Sequence, residues 1–548
     1  MELDAWFLTA AERANPATTI GRRRGTDGTG GTGGTDGGGA WTEGNQVDVL
    51  VDGARYFACL LDTLVTCRAG DRVLLSDLEG NADERLGRER DTAVGAVFAD
   101  LAGRGVDVLA LLWRSHPVGA NTGQVDNVEL ARAVNDAGGH AVLDHRIRRG
   151  GSHHQKIVVV ERPGRPDRDE DVAFAGGIDL ARGRNDDHGH RGDPKAAPLD
   201  DPRYGDHPPW HDVQVRVRGP AVADISATFR ERWDDPTPPV RPSPWGVLLS
   251  ARSKQPEATY RIPADDRPAH TCGPHAVQVL RTYPARRPPY PFAPEGERSI
   301  ARAYLKAFGR ARSIVYLEDQ YLWSVDAARA LSDALRRERD LRVVIVIPRY
   351  PDPAGRVVAA ASRYGREMVQ RELYAAGAGR VLVLDLENSC GTPIYVHSKV
   401  CIVDDVWIAV GSDNLNRRSW THDSEISCAV VDTTRDRRAP TDPGGRGDGA
   451  RLLARTTRLQ LAEEHLELPD GAAAGLVDPV AFFDAMRASA ERLDDWHRGG
   501  RSGPRPRGHV RHHRRDRVTR ATRALLHAVH ATVLDPDGRP RRLRGRGY

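Results

Sequence analysis

Lysine is almost missing from this chain. Of its 80 basic residues only five are Lys, at 156, 195, 254, 306 and 399, and the rest are Arg. There is also no apolar run near the roughly 18 residues that a membrane-spanning helix requires. The opening residues carry acids where a secretory leader would carry bases, and their apolar patch is short, so a cytoplasmic chain is expected. Six cysteines, at 59, 67, 272, 390, 401 and 428, show no C-x-x-C spacing. Cys401 and Cys428 fall inside apolar runs, which points to reduced, buried thiols and excludes a disulfide framework or cysteine zinc site. The twenty His form no H-E-x-x-H. His188, His190 and His207 lie in an Asp-rich polar loop that could be read as metal ligands, but a solvated loop is the expected account. Neither a metal nor any other cofactor is expected.

What is present is a long, duplicated α/β pattern. At 548 residues the chain exceeds one hydrophobic core and suits two large units with extensions. Residues 1–46 hold a short apolar start and a Gly/Thr/Asp tract, Gly25 to Gly39, too poor in side chains to pack. Residues 47–235 read as a first half. It has a helix from about Val49 to Val65, a strand Val73 to Leu75, a helix near Thr92 to Ala102 and a strand Val106 to Trp113. A strand Val213 to Val217 and a helix Pro220 to Trp233 follow. A Pro-rich linker, 236–274, leads to a second half, 275–435, with the same alternation, including a helix Gly365 to Ala375. The last segment, 436–548, opens with a helix around Leu452 to His465 and ends in a tail from Arg498 that carries fifteen Arg against three Asp. With Leu525, Leu526 and Val529 nearby, the tail suits an anionic membrane surface. A solvated tail, or a cap folded on the acidic body, fits the same composition.

Two short stretches concentrate the chemistry. Residues 395–427 place His397, Lys399, Asp404, Gly411, Ser412, Asn414 and Glu425 together, on apolar strands Val400 to Val403 and Val406 to Val410 joined at Asp404-Asp405. Period-2 alternation sets the His397 imidazole and the Lys399 ammonium on one face, a pairing that suits a phosphate. Residues 152–180 repeat the plan with His154, Lys156, strands Ile157 to Val160 and Val172 to Ala175, the pair Gly176-Gly177, and Asp179. The His-to-Gly spacing is 22 here and 14 in the later copy, the surplus matching a polar insert around Arg162 to Glu170. Gly177 then corresponds to Ser412, and Asp179 to Asn414. Lys at both matching positions is informative in a chain that otherwise writes Arg, because a compact ammonium and a planar guanidinium place their donors differently.

These residues resemble the phospholipase D superfamily, whose site is built from two H-x-K-x4-D copies, one per half. The resemblance is greatest to its phosphatidylcholine-type phospholipases. It extends to Gly176 through Arg184, to Pro209-Trp210-His211-Asp212, to Phe229, Arg232 and Trp233, and to Tyr316 through Tyr321. One departure is Glu161, which stands where the pattern has Asp. The resemblance implies two α/β/α sandwich halves, mixed sheets flanked by helices, related by a pseudo-twofold axis with the active site at their interface. It further implies that His154 is the nucleophile and His397 the general acid and base, each braced by an acid from the other half. Those acids are expected to be Glu425 for His154 and Asp186 for His397.

Metal-free phosphodiester cleavage needs a nucleophile, an acid for the leaving alkoxide and positive donors around the nonbridging oxygens. His154, His397, Lys156, Lys399 and Asn414 supply these parts, while Gly176, Gly177, Gly411 and Ser412 would let the phosphate approach closely. The expectation is hydrolysis of a phosphatidyl lipid, such as phosphatidylcholine, to phosphatidic acid, with transfer to another alcohol as a companion reaction. Another phosphodiesterase or transferase of the same fold (a nuclease or a cardiolipin-synthase-like enzyme) and an inactive lipid-binding homologue are the alternatives. A monomer is expected, meeting a phospholipid substrate and an anionic membrane surface but no nucleic acid.

Overall fold

The computed structural model describes residues 2–21, 40–87, 90–114, 123–239, 260–351, 355–515, 518–519, 522–544 and 547–548. The tract from Gly25 to Gly39 and the middle of the Pro-rich linker lie outside these residues.

The first half contributes strands β1 (Thr42–Val51), β2 (Arg72–Asp77), β3 (Asp107–Trp113), β4 (His140–Asp144), β5 (Ile157–Glu161), β6 (Val172–Gly176), β7 (Trp210–His211) and β8 (Val213–Arg218). The second contributes β9 (His275–Tyr283), β10 (Glu297–Arg298), β11 (Ile314–Glu318), β12 (Arg342–Val346), β13 (Val381–Leu386), β14 (Tyr395–Val396), β15 (Val400–Val403), β16 (Trp407–Gly411) and β17 (Glu425–Asp432). One mixed sheet runs β13-β12-β11-β15-β16-β17-β9-β1-β8-β6-β5-β2-β3-β4, so the two halves meet edge to edge at β9 and β1. Read outward from that junction, the strand order of each half is the same. Three parallel strands, β2-β3-β4 or β11-β12-β13, lie outermost, and antiparallel strands lie inside. A pseudo-twofold axis through the β1–β9 pair therefore relates the halves.

Most of these strands are apolar on both faces because helices cover both sides. Alternation sorts β15 cleanly: Val400 and Ile402 join the layer that also holds Phe229, Leu461 and Phe482, while Cys401 and Val403 join the opposite layer with Phe308 and Trp420. The shared layer spans both halves and is covered by helices Ala221–Trp233, Leu452–His465 and Pro479–Arg498. On the other face each half has its own helices, Gly53–Leu64 and Val94–Gly103 in the first, Ser299–Arg310 and Val325–Arg337 in the second. No helix among the described residues is long and apolar enough to cross a membrane.

Two expectations are corrected, and of the readings of the basic tail the one that folds it on the body holds. Val49-Leu50-Val51 is the end of a central strand, not the first turn of a helix. Asp52 then turns the chain with φ 67°, and the helix starts at Gly53. The expected helix at Gly365 begins nine residues earlier and runs Arg356–Ala376. The basic tail is folded into the body: β18 (Val510–His512) adds an antiparallel strand beyond β13. Leu526 is buried, Asp535 accepts the backbone N–H of Arg418 at 2.7 Å, and the Tyr548 hydroxyl donates to Asp326 at 2.6 Å.

Candidate active site

Each motif histidine closes an extended run that feeds an inner strand, His154 ahead of β5 and His397 ahead of β15. Both are held by the opposite half. The His154 N–H donates to the Ser424 carbonyl at 2.9 Å, and the His397 N–H donates to the His211 carbonyl at 2.8 Å. Their side chains follow the same exchange: His154 Nδ1 lies 2.8 Å from Glu425, and His397 Nδ1 lies 2.7 Å from Asp212. Sheet register shows that these two acids occupy one position of the duplicated plan. Gly176 pairs with Gln214 as Gly411 pairs with Ser427, so Asp212 and Glu425 each stand two residues before the matching partner. When Nδ1 donates to a carboxylate, Nε2 of the neutral ring keeps its lone pair and faces the other way.

The lysines also match. Lys156 Nζ donates to the His154 carbonyl at 3.0 Å, and Lys399 Nζ donates to the His397 carbonyl. They differ in their next neighbours. Lys156 is ion-paired with buried Asp179 at 3.3 Å, whereas the corresponding Asn414 is uncharged and its Oδ1 is buried without a hydrogen-bond partner. Arg184 adds a third cation, its guanidinium 3.9 Å above the Trp210 ring, which itself packs 5.1 Å from the His397 ring.

This crowding of positive charge in a buried place has consequences for protonation. Burial first, and then Lys156 and Lys399, hold the His154 imidazole well below its ordinary range. Burial, Lys399 and Arg184 do the same to His397. The Lys399 ammonium is itself lowered to about 8, chiefly by burial. Glu425 is pushed up to about 8 by burial and by Asp423, so the site disfavours separated charge on the His154–Glu425 pair. A phosphodiester anion entering beside Lys399 and Arg184 would supply countercharge of the kind that Asp179 already gives Lys156.

The structure thus gathers His154, Lys156, Asp179, His397, Lys399, Asn414 and Glu425, and it corrects two readings. Asp186 does not touch His397. Its carboxylate accepts the backbone N–H groups of Asp187, Gly192 and Trp210 and so shapes the loop that carries Trp210 and His211. Asp404 lies at the far end of β15 from His397, where it accepts the backbone N–H groups of Arg312, Ser313 and Ile314; it anchors the start of β11 and takes no part in the cleft. Glu161, its counterpart, instead binds Arg72, Ser226 and Arg230, the longer side chain reaching across to a helix. Ser412 and the glycines lie close against the neighbouring strands, Gly176 against Gln214 and the Val213 carbonyl. The Ser412 hydroxyl donates to Glu425 at 2.5 Å, a Cβ on Gly177 would collide with the Asp212 carboxylate, and one on Gly411 would collide with Ser427. Asp212, Arg184 and Trp210 are the site residues that sequence reasoning did not assign. Behind Asp212 the side chains of Asp52, His190, His211 and Glu464 converge in a second buried group.

The family model described as "Phospholipase D" matches residues 83–335, and that described as "Cardiolipin synthase, PLD-like domain" matches residues 304–437. Phospholipase D alpha 2 of Oryza sativa subsp. japonica is 26% identical over 495 residues, covering 69% of this chain and 58% of its own. Phospholipase D alpha 1 of Ricinus communis is 28% identical over 392 residues, covering 53% and 47%. The chain spans about half the length of the curated relatives it matches. Among solved structures, phosphatidylserine synthase of Haemophilus influenzae Rd KW20 aligns over 72% of this chain and 84% of its own, with a TM-score of 0.47 and 13% identity.

Proposed function

Since this chain belongs to the phospholipase D superfamily, we propose that it is a phosphodiesterase that cleaves the headgroup ester of a phosphatidyl lipid of the phosphatidylcholine type, giving phosphatidic acid. The observation that carries this reading is the reciprocal bracing of His154 by Glu425 and His397 by Asp212, which holds two motif imidazoles in one cleft, each by a carboxylate of the other half.

In the first step the Nε2 lone pair of His154, kept neutral by burial and two ammonium groups, attacks phosphorus and a P–N bond forms. The P–O bond to the headgroup alcohol breaks, and His397 delivers a proton to the departing alkoxide. Protonation of His397 before this step draws on the bound phosphate anion, which offsets the depression caused by Lys399 and Arg184. Lys156, Lys399 and the Asn414 amide donate to the nonbridging oxygens, where negative charge grows. In the second step His397 takes a proton from water as that water attacks phosphorus, the P–N bond breaks, and phosphatidic acid leaves. An alcohol in place of water gives transphosphatidylation by the same route.

A transferase reading draws on the match of residues 304–437 to a cardiolipin synthase-type domain. The two are separated by incubating purified protein with phosphatidylcholine, phosphatidylethanolamine, cardiolipin, phosphatidylglycerol and single-stranded DNA, with products read by mass spectrometry. The proposal expects phosphatidic acid and free choline from phosphatidylcholine. Cardiolipin formed from phosphatidylglycerol, with phosphatidylcholine untouched, would replace it by the transferase, and cleavage of DNA alone by a nuclease.

A further inference from the structure

The buried group behind Asp212 has the composition and geometry of a metal centre. Four donor atoms converge from four separate segments: Asp52 after β1, His190 from the loop that follows the first motif, His211 of β7, and Glu464 from helix Leu452–His465. They all lie within 4.8 Å of one another. His211 Nδ1 is 2.8 Å from Glu464 Oε1 and 3.3 Å from Asp52 Oδ1, and His190 Nε2 is 3.1 Å from the same Glu464 oxygen. Metal–ligand bonds near 2.0–2.2 Å in a tetrahedron set neighbouring donors about 3.3 Å apart, so these spacings suit one small cation.

Two further observations separate this group from an ordinary cluster of hydrogen bonds. Asp52 Oδ1 and His211 Nδ1 lie 3.3 Å apart without an aligned hydrogen bond, although both side chains are more than nine-tenths buried and point into the group. Each imidazole also has its remaining nitrogen tied in the manner expected of a ligating histidine. His190 Nδ1 donates to the Trp210 carbonyl at 3.1 Å, and His211 Nε2 donates to Glu318 at 2.9 Å. Glu318 is fixed in turn by the Tyr316 hydroxyl at 2.5 Å and by His465 at 2.9 Å. An entry route exists as well: Asp52 and Glu464 line a cavity of about 1030 Å³ whose wall includes exposed Asp187 and the acids Glu463 and Glu467.

We propose that Asp52, His190, His211 and Glu464 bind one divalent transition cation of the zinc class in a closed, four-ligand, structural site. Three ligands come from the first half and one from the C-terminal segment, so the cation ties these parts together directly behind the cleft. Its bearing on the reaction is positional. The His211 carbonyl receives the His397 N–H, and the next residue, Asp212, holds the His397 ring. Of the three histidines that sequence reading weighed as ligands, only His190 enters the group; His188 and His207 are exposed.

The test uses the full chain, purified without metal-chelate chromatography, stripped by prolonged dialysis against a chelator and reloaded with Zn²⁺ or Co²⁺. The proposal expects about one equivalent of Zn²⁺ per chain, a higher Tm on loading, and the intense visible absorption of tetrahedral Co²⁺. Glu464→Gln and His190→Gln should each weaken binding by at least about tenfold, while Asp187→Asn at the cavity mouth should bind normally. A wild-type chain that holds less than about a tenth of an equivalent from saturating Zn²⁺ overturns the proposal, whatever the variants do. So does full loading of both ligand variants.

Discussion

The imidazole of His397 takes its orientation from Asp212, 2.7 Å away and 185 residues earlier, in the other half of the sheet. Glu425 does the same for His154 in the reverse direction. Neither half can therefore present a correctly held imidazole alone, and the β1–β9 junction is what makes the exchange possible. A duplicated fold has been turned into one site by crossing its carboxylates.

The crossing gives a direct comparison between two acids of the same loop region. Asp212→Asn should lower kcat toward a soluble diester by about 10²–10⁴-fold, the range over which a positioned acid–base group acts, with little change in KM. Asp186→Asn removes an acceptor of three backbone N–H groups and touches neither imidazole. Its expected effect is a lower Tm with a kcat closer to wild type. Equal kcat losses in the two variants, or a larger loss at Asp186, would reverse the assignment.

Lys399 sets an expectation for pH. Its ammonium is lowered to about 8, so raising pH through that value removes a positive charge from the cleft. The kcat/KM profile, which reports free enzyme, should fall above pH about 8. Glu425 also titrates near there, so the control is Lys399→Arg, whose guanidinium stays charged throughout. If the basic limb survives in that variant at the same midpoint, Lys399 is not its source.

Much of this was legible in the sequence, and the failures have particular causes. The repeat of H-x-K ahead of two apolar strands gave the halves, the central hairpins and the cleft residues His154, Lys156, Asp179, His397, Lys399 and Asn414. Asp212 was hidden because 36 residues separate it from Gly176, against 14 from Gly411 to Glu425; the long loop between masks a correspondence that only strand register exposes. Asp186, lying nearer in sequence, took its place. Strand β1 was misread because three consecutive apolar residues at the sheet centre are buried on both faces and carry no alternation. Composition left the tail open between a membrane contact, a solvated tail and a cap on the body, because β18 is only three residues, Val-Arg-His, and is made a strand by β13, more than a hundred residues away.

Because the tail is built into the body, removing it should do more than weaken contact with a membrane. Truncation at Arg498 strips β18 from the sheet edge, Asp535 from Arg417 and Arg418, and Tyr548 from the Trp420 ring. It also leaves β13 as a bare edge, a template for association between chains. The expected product is an aggregation-prone protein with a lower Tm and impaired hydrolysis of a soluble substrate, read by scanning calorimetry and size-exclusion chromatography. A monodisperse truncated chain with wild-type Tm and activity would return the tail to the status of an appendage.

The division of labour between the two histidines can be separated by trapping. Replacing either by Ala should cut turnover of a natural ester by at least about 10²–10⁴-fold, since attack and protonation of a strongly basic alkoxide are both required. They differ in what they still allow. In His397→Ala, His154 keeps its Glu425 brace and can attack a p-nitrophenyl ester, whose leaving group needs no proton. The phosphohistidine then has no base to activate water and should accumulate. In His154→Ala the nucleophile is gone, so no acid-labile phosphoryl adduct should form with any substrate. Intact-mass measurement at mildly basic pH should show the adduct in the first variant alone. An adduct only in His154→Ala would exchange the two roles. An adduct in neither, with slow turnover of the activated ester retained, would mean that water attacks phosphorus directly and the covalent route is wrong.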